Sequence, residues 1–252
     1  NPEEDGSDEL SELAATFHQT LDALHRRDET LKEYIANTTH DLAIPLTVLQ
    51  HRLHRLSRDI ADDDPSHEHV QTALEESHYI AGLIANMSAA AKLESEQVEL
   101  EASEIDLGTL VERVVARHEP IAEQASIAMN WSVPDTDVVV TADSTLAEQA
   151  LSNLVQNAVQ YNSVGGHVSV VLEVDDDTFE IRVLDDGPGI PDELIAEVGQ
   201  RGVRSDEARS RNEGGRGFGL AIARQVCEHH GWSLELDNRD DGGLRARIIG
   251  TL

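Results

Sequence analysis

The feature that most constrains the fold of this chain is a long apolar seam within residues 31–60. Seam residues recur three or four positions apart, and one of them is polar: Leu31, Ile35, Thr38, Leu42, Leu46, Leu49, Leu53, Leu56 and Ile60. Such spacing keeps one stripe of side chains on the side of a helix that faces a partner helix. The seam therefore predicts a long helix that dimerises or packs in a bundle.

A second helix is predicted after a short break. Asp62 to Asp64 and Pro65 interrupt the first helix, and apolar residues recur again from Val70 to Leu93. Two consecutive amphipathic helices with a short connection form an antiparallel hairpin. Because one hairpin cannot cover both sides of its seam, we expect two copies of the chain to pair as a four-helix bundle, which makes a homodimer.

The residues before the seam also predict a helix, from about Asp8, but in a different phase. The apolar positions that are out of register with the later seam are Leu10, Leu13, Phe17, Leu21 and Leu24. A phase shift in a coiled coil can carry a twist or tilt signal. An ordinary stutter in a solvated helix explains the same residues equally well.

After Glu101 the pattern changes to alternating strands and helices. Strand patterns are VELEASEIDL, IAMNWSV, DVVVTAD, HVSVVLEV, FEIRVLDD, SLELDN and LRARIIG. Helical patterns are LGTLVERVVARH, TLAEQALSNLVQNAVQ and FGLAIARQVCEHH. We therefore predict a multidomain fold, an all-α hairpin followed by an α/β sandwich.

The composition excludes several classes of function. A net charge of −30 opposes binding to nucleic acid or anionic lipid, because these polyanions need a basic surface. The single cysteine, Cys227, rules out a disulfide framework and is expected to be a buried reduced thiol, as in a cytosolic protein. No apolar stretch approaches the roughly 20 residues that span a bilayer, so we expect a soluble chain. Abundant acids with only two lysines, Lys32 and Lys92, fit either adaptation to high salt or a simple solubility effect.

His40 is the candidate nucleophile of the first helix. Because Leu42 and Leu46 occupy seam positions, His40 is expected to point outward. Asp41 is close enough in principle to accept a hydrogen bond from one ring nitrogen, which would make the other nitrogen a better nucleophile. Pro45 predicts a kink one turn further on. Taken alone, an exposed histidine beside an aspartate usually has no such role.

Two polar motifs of the second domain suggest a nucleotide site. Asn153 and Asn157 lie four residues apart on one predicted helix face, and amide oxygens suit Mg²⁺. Asp185 and Asp186 follow a strand, where a carboxylate in a pocket can accept a hydrogen bond from an adenine amino group. Helix caps and an ordinary turn are the alternatives for these residues.

Glycines cluster at both ends of a long loop between residues 187 and 219. Gly187 and Gly189 flank a proline, and a second group directly precedes a helix: Gly214, Gly215, Gly217 and Gly219. Free amides at a helix start can meet phosphate oxygens. A loop of this length in a compact domain is usually functional, so we predict a mobile lid.

The order of these motifs resembles the histidine kinases. NLVQNAVQYN, DDGPGIP and GGRGFGLA look like the asparagine box and two glycine boxes of their ATP domain, and THDLAIPL resembles the histidine box. The resemblance implies the Bergerat ATP-binding fold, and DELSELAATFHQTLDAL looks like the last helix of a HAMP signalling module. It therefore suggests a HAMP-like helix in residues 1–28, a dimerisation and histidine phosphotransfer domain in 29–98, and an ATP-binding domain in 99–252.

The resemblance also implies roles for single residues. His40 would be the phosphoacceptor with Asp41 as its acidic helper, and Asn157 would be the magnesium ligand with Asn153 near the phosphates. Asp185 would contact adenine. Tyr161 would pack on the base, and Arg201 and Arg204 would be lid arginines that reach the phosphates. The glycines that would shape the pocket and lid are Gly187, Gly189, Gly215, Gly217 and Gly219. Further arginines compete for that lid role: Arg209, Arg211 and Arg216.

The implied cofactors are ATP and Mg²⁺, and the implied partner is a response regulator whose aspartate receives the phosphoryl group. The resemblance implies a transmembrane sensor upstream, so this chain would be the cytoplasmic portion of a membrane protein. A Bergerat-fold ATPase clamp and a degenerate kinase that serves as a scaffold are the alternative functions. The sequence leaves open the sensed signal and whether transfer occurs within or between subunits.

The chain departs from the family pattern in three ways. Ala43 and Ile44 stand where a basic residue and then Thr or Asn are common, and because Ile44 cannot orient a water we expect weak phosphatase activity. Gln160 replaces a frequent lysine. The usual lid phenylalanine is absent, with Val198 or Val203 as the nearest apolar substitutes.

Overall fold

The computed structural model describes residues 2–60, 64–93, 100–191, 195 and 219–252. Its helical part consists of α1, Pro2–Asp59, and α2, Pro65–Leu93, which pack along each other. Near the connection, the Gln71 side chain donates a hydrogen bond to the Ser57 hydroxyl at 3.0 Å. The predicted hairpin is confirmed. Its first helix begins at Pro2, earlier than the predicted start at about Asp8.

Helix α1 continues through Pro45 and across the boundary at residue 28 without a break. The proline ring removes the amide that would donate to the Asp41 carbonyl, four residues earlier. The kink predicted beside His40 stays a prediction. Within the described residues, no helix is long and apolar enough to cross a membrane.

The α/β part has seven strands and three helices in the described regions. The strands are β1 Ala102–Asp106, β2 Ala128–Ser132, β3 Val139–Asp143, β4 His167–Asp175, β5 Thr178–Asp185, β6 Ser233–Asn238 and β7 Leu244–Thr251. The helices are α3 Leu107–Gln124, α4 Ser144–Gln160 and α5 Gly219–His229. Every strand and helix predicted after Glu101 is present, with differences at the ends.

The main sheet has the order β2-β4-β5-β7-β6, with β2 parallel to β4 and the other pairs antiparallel. Strands β1 and β3 form a separate antiparallel pair. Alternate strand residues such as Val170, Ile181 and Ile248 are buried in one core with α3, α4 and α5. The α/β sandwich is therefore confirmed. Cys227 lies in this core, and burial raises the pKa of its thiol to about 12, as a structural cysteine requires.

The outer face of the same sheet carries ion pairs. Arg247 of β7 contacts Glu235 of β6 at 2.6 Å and Asp237 at 3.5 Å. Arg182 of β5 pairs with Glu173 of β4. These pairs alternate with the buried positions, so each strand has one apolar face and one charged face.

Asp143 joins the two parts of the molecule. Its side chain caps α4 by accepting from the amides of Thr145 and Leu146, each at 3.1 Å, and it accepts from the Lys92 ammonium of α2 at 2.8 Å. Burial acts to raise the pKa of Asp143, but the bonds from Lys92 and from backbone amides outweigh it and lower the pKa. The start of α4 is thereby tied to the end of α2.

Candidate functional site

His40 lies on an accessible face of α1. Its side chain is 76% exposed, whereas the neighbouring Thr39 is buried. The His40 Nδ1 atom is 3.6 Å from Asp41 Oδ1, which is longer than a hydrogen bond. The outward direction predicted for His40 agrees with the structure. The hydrogen bond to Asp41 is not formed, because consecutive residues of a helix do not face each other.

His40 borders a groove between the helical hairpin and the α/β part. The groove has a volume of about 320 Å³, and its walls come from α1, α2 and the beginning of α4. Thr145, Leu146 and Gln149 are the α4 residues that line it. The candidate nucleophile therefore faces the same groove as one end of the helix that carries both candidate asparagines.

The two asparagines of α4 have different surroundings. Asn153 is buried, and its amide nitrogen donates to Asn86 Oδ1 of α2 at 2.8 Å and to the Gly219 carbonyl at 3.1 Å. Its oxygen accepts from Gln149 at 3.1 Å, and Gln149 also donates to Asn86 Oδ1 at 3.0 Å. In this arrangement the polar atoms of Asn153 are used by protein contacts.

Asn157 is the freer of the two asparagines. It lines a small cleft together with Asn153 and Gln160, and its side chain makes no hydrogen bond within the described regions of the chain. Its amide oxygen is thus available to a cation. Among those regions no cluster of three or more His, Cys, Asp or Glu is arranged to hold a metal, so magnesium here would depend on an amide oxygen, water and phosphate oxygens.

Asp185 ends β5 at the edge of the same region and is 9% exposed. Its Oδ1 accepts from the amides of Gly187 at 2.9 Å and Leu244 at 3.1 Å, whereas its Oδ2 accepts no hydrogen bond from any described residue. Burial raises the pKa of Asp185, and the two amide bonds oppose that shift. A shielded carboxylate with one uncommitted oxygen is suited to accept a hydrogen bond from an amino group.

The loop after Asp185 is held on the side of α4. The carbonyl of Tyr161, at the end of α4, would be 3.0 Å from a Cβ placed on Gly187, so glycine permits the close approach. Asp186 accepts from the His167 amide at 2.7 Å, and this bond is the main reason that the pKa of Asp186 is lowered. Tyr161 itself is 44% exposed.

Four predicted site residues lie outside the described residues: Arg201, Arg204, Gly215 and Gly217. Most of the predicted lid, including Val198 and Val203, lies outside them as well, whereas its residues 187–191, 195 and 219 are described. Gly219 begins α5, where its carbonyl contacts Asn153. The structure thus brings Asn153, Asn157 and Gly219 together around one cleft, with Asp185 and Tyr161 beyond the end of α4.

Two family models match the chain. Residues 30–96 match the "His Kinase A (phospho-acceptor) domain", and residues 142–250 match the "Histidine kinase-, DNA gyrase B-, and HSP90-like ATPase". The sensor histidine kinase WalK of Bacillus subtilis is 28% identical over 94% of this chain and 42% of that protein. The sensor-like histidine kinase SenX3 of Mycolicibacterium smegmatis is 30% identical over 84% of this chain and 55% of that protein. The chain belongs to the sensor histidine kinases.

Solved structures agree with this assignment. The catalytic domain of histidine kinase ThkA is 26% identical, with a TM-score of 0.53 over 60% of this kinase and 97% of that chain. ShkA, solved at full length in complex with AMPPNP, shares the fold at 22% identity and a TM-score of 0.60, over 86% of this kinase and 45% of that chain. The kinase chain spans about half the length of the curated relatives that it matches.

Some residues around the candidate site carry no sequence signal. Asn86 sits in α2, 67 residues before its partner Asn153, and Asn238 contacts a residue 48 positions earlier. No local motif surrounds either asparagine. The sequence could have drawn attention only to Arg239, because it follows the predicted strand SLELDN in a turn rich in aspartate and glycine.

Proposed function

We propose that this chain is the catalytic core of a sensor histidine kinase that transfers the γ-phosphoryl group of ATP to His40. The observation that carries the proposal is the pairing of an exposed His40 with an ATPase-type domain whose helix α4 lines the same groove. We assign the HAMP-like helix to residues 1–28, the phosphotransfer hairpin to 29–98 and the ATP-binding domain to 99–252.

The side chains suggest how the domain would hold ATP. Asp185 Oδ2 would accept a hydrogen bond from the adenine amino group, and Tyr161 would pack on the base. Asn157 would contribute an amide oxygen to magnesium, which when bound neutralises phosphate charge. The assignment of Arg201 and Arg204 to the phosphates, and of Gly215 and Gly217 to the lid, rests on the family resemblance.

In the reaction, a neutral ring nitrogen of His40 attacks the γ-phosphorus in line with the leaving oxygen. The nitrogen–phosphorus bond forms as the bond to the β–γ bridging oxygen breaks, ADP leaves with that electron pair, and the proton on the other ring nitrogen of His40 is then released to solvent. Asp41, which is 83% exposed beside the ring, stabilises the imidazolium charge that develops as the nitrogen reacts. Position and electrostatics supply most of the catalysis.

Dimerisation follows from the exposed part of the helical hairpin. Seam residues remain open to solvent in the single chain, with exposures of 50% for Leu42, 48% for Leu49 and 46% for Leu56. Such a stripe is covered when two hairpins pair as a four-helix bundle. Leu49→Glu should convert the dimer to monomer in sedimentation velocity, whereas Val174→Glu, a substitution on β4 outside the seam, should leave it dimeric.

We infer that the phosphoryl group passes from His40 to an aspartate of a response regulator. The histidine kinase ThkA has been solved in complex with the response regulator protein TrrA, and that structure shares the present fold at 22% identity and a TM-score of 0.57. The relatives are about twice as long as this chain, and on the family resemblance we also propose that the full protein is anchored in a membrane upstream of α1.

The test uses γ-labelled ATP, magnesium and the purified chain. Label should appear on the wild type, survive alkali and be released by acid, as expected for a phosphohistidine, and it should be absent from His40→Gln. Free phosphate release without protein labelling would favour an ATPase clamp. Absence of both activities would favour a scaffold, and label retained by His40→Gln would overturn the assignment of the phosphoacceptor.

A further inference from the structure

The turn between β6 and β7 contacts the loop that carries Asp185. This turn, residues 238–243, belongs to no motif of the nucleotide site and lies about 50 residues away in sequence. Two of its side chains, Asn238 and Arg239, bond to the backbone of the loop at opposite ends. These contacts therefore help to set the position of the Asp185 carboxylate.

Asn238 holds the end of the loop at Ile190 through both the oxygen and the nitrogen of its side-chain amide. Its oxygen accepts from the Ile190 amide at 2.9 Å, and its nitrogen donates to the Ile190 carbonyl at 2.7 Å. Gly189, just before, has a φ of 71°, and a Cβ there would be 2.5 Å from the Asn238 oxygen. An amide side chain carries both a donor and an acceptor, and Asn238 uses both on Ile190.

Arg239 holds the near end. Its Nη1 donates to the main-chain carbonyl of Asp185 at 2.7 Å. The Asp241 carboxylate holds the same guanidinium by accepting hydrogen bonds from Nε at 3.1 Å and from Nη2 at 2.6 Å. The guanidinium therefore has little freedom, and its direction is set before any ligand is present.

The backbone of the turn adds a third contact to the same aspartate. The Leu244 amide donates to Asp185 Oδ1 at 3.1 Å, which leaves Oδ2 as the oxygen that accepts no bond from a described residue. Gly243 has a φ of 92°, and a Cβ there would be only 1.9 Å from the Asp185 carbonyl oxygen. The turn can approach this closely only because residue 243 is glycine.

We propose that Asn238 and Arg239 are positioning residues for adenine recognition, which orient Asp185 by clamping its loop at Ile190 and at the Asp185 carbonyl. The proposal rests on the proposed function, in which Asp185 Oδ2 accepts from the adenine amino group. Hydrogen bonds weaken steeply with misalignment, so a carboxylate that moves with a loosened loop loses its preference for an amino group over a carbonyl.

Asn238 and Arg239, which together we call the clamp, predict a particular kinetic pattern. The clamp touches the base end of the site and none of its atoms contacts His40 or Asn157, so its loss should weaken ATP binding and leave phosphoryl transfer unchanged once ATP is bound. A general loss of folding would instead lower the maximal rate.

Asn238→Asp is the decisive variant, because it keeps the size and the acceptor of Asn238 but turns a second oxygen toward the Ile190 carbonyl. We expect the KM for ATP in autophosphorylation to rise about tenfold, with kcat within about twofold of the wild type. The preference for ATP over GTP in kcat/KM should fall by a similar factor. Asp240→Asn, on the same turn and exposed, is the matched control and should leave both quantities unchanged.

Arg239 provides a second route if Asn238→Asp fails to fold. Arg239→Ala should raise KM as well, and Arg239→Lys, which keeps one cationic donor, should recover part of the loss. Equal KM values in the clamp variants and Asp240→Asn would overturn the proposal. So would a fall in kcat at unchanged KM.

Binding of ADP, measured by calorimetry, separates this proposal from the proposed function. If the chain binds ADP but His40 is never labelled, the kinase assignment fails, and weaker ADP binding by Asn238→Asp still supports the clamp. If His40 is labelled and ADP binds equally to all variants, the clamp alone fails. If the wild type binds no ADP, both fail.

Discussion

At the scale of single residues, we expect Ile44 to limit the phosphatase reaction. It lies one helical turn after His40 and is 58% exposed. Ile44→Thr introduces a hydroxyl that can orient a water. We expect dephosphorylation of a phosphorylated regulator to increase about tenfold or more, and Ile44→Val, which stays apolar, to leave the rate at the wild-type level. An unchanged rate in Ile44→Thr would show that Ile44 does not limit the phosphatase step.

We expect the magnesium dependence of His40 labelling to require Asn157. Asn157→Ala removes the available amide oxygen and should lower His40 labelling about 100-fold or more, whereas Asn157→Asp keeps an oxygen ligand and should retain measurable labelling that responds to magnesium concentration. A magnesium titration of both variants provides the measurement. Equal labelling by Asn157→Ala and wild type would remove Asn157 from the site.

The sequence indicated Asn157 and Asp185 because both stand in ordered local motifs. It was silent on Asn238, whose partner Ile190 becomes a neighbour only when β6 pairs with β7 and β7 with β5. It also suggested a hydrogen bond from His40 to Asp41 that the helix geometry does not form. Residue identity and spacing predict local roles, whereas supporting contacts depend on sheet order.

At the scale of elements, the contact between α2 and α4 is the feature with the clearest consequence for activity. Asn86 Oδ1 accepts from both Gln149 and Asn153, so Asn86→Ala removes two interdomain hydrogen bonds, each of about 1 kcal/mol. We expect faster autophosphorylation, by about fivefold, because the ATP domain leaves α2 more readily. Asn86→Asp keeps the acceptor oxygen and should behave like the wild type. A slower rate in Asn86→Ala would mean that the contact supports the reaction.

A buried histidine of α3, which packs against α4, is expected to lower the stability of the ATP domain in acid. His118 is 5% exposed, with Nδ1 at 2.9 Å from the Val114 carbonyl and Nε2 at 3.3 Å from the Ser152 hydroxyl. Burial, followed by the charge of Arg117 and the nearby His78, lowers the pKa of His118. A histidine with a lowered pKa takes up its proton more readily in the unfolded chain, so stability falls as the pH drops through about 6.5.

Urea denaturation at pH 7.5 and 5.5 tests this expectation. The free energy of unfolding of the ATP domain should be lower at pH 5.5, and His118→Gln should reduce the difference between the two values. His229→Gln, at the end of α5, is the control and should keep the wild-type difference. A stability that rises on acidification would contradict the account.

Element order was the most predictable level of this fold. The apolar period of 3.6 in α4 and the alternation in β4 to β7 identified each element, because burial on one side imposes those periods. The pairing of β2 with β4 in parallel, and the docking of α4 on α2, left no trace in local pattern. They depend on contacts between residues that are distant along the chain.

At the scale of the whole molecule, the net charge of −30 sets the response to salt. Raising NaCl from 0.1 to 1 M shortens the screening length from roughly 10 to 3 Å, which reduces self-repulsion. Exposed ion pairs such as Arg247 with Glu235 weaken too, but each is worth about 1 kcal/mol or less. We therefore expect the thermal midpoint to rise with salt. A falling midpoint would contradict this balance, and a rise that continues well above 1 M would favour adaptation to high salt.

In the proposed reaction, His40 receives the phosphoryl group of ATP. The most direct measurement is mass spectrometry of peptides prepared at neutral to alkaline pH after incubation of the chain with ATP and magnesium, with and without chelator. We expect one phosphorylated peptide that contains His40, absent with chelator and in Asn157→Ala, with the modification lost after acid treatment. A phosphoryl group found on another residue, or a His40 peptide that stays unmodified while ATP is consumed, would contradict it.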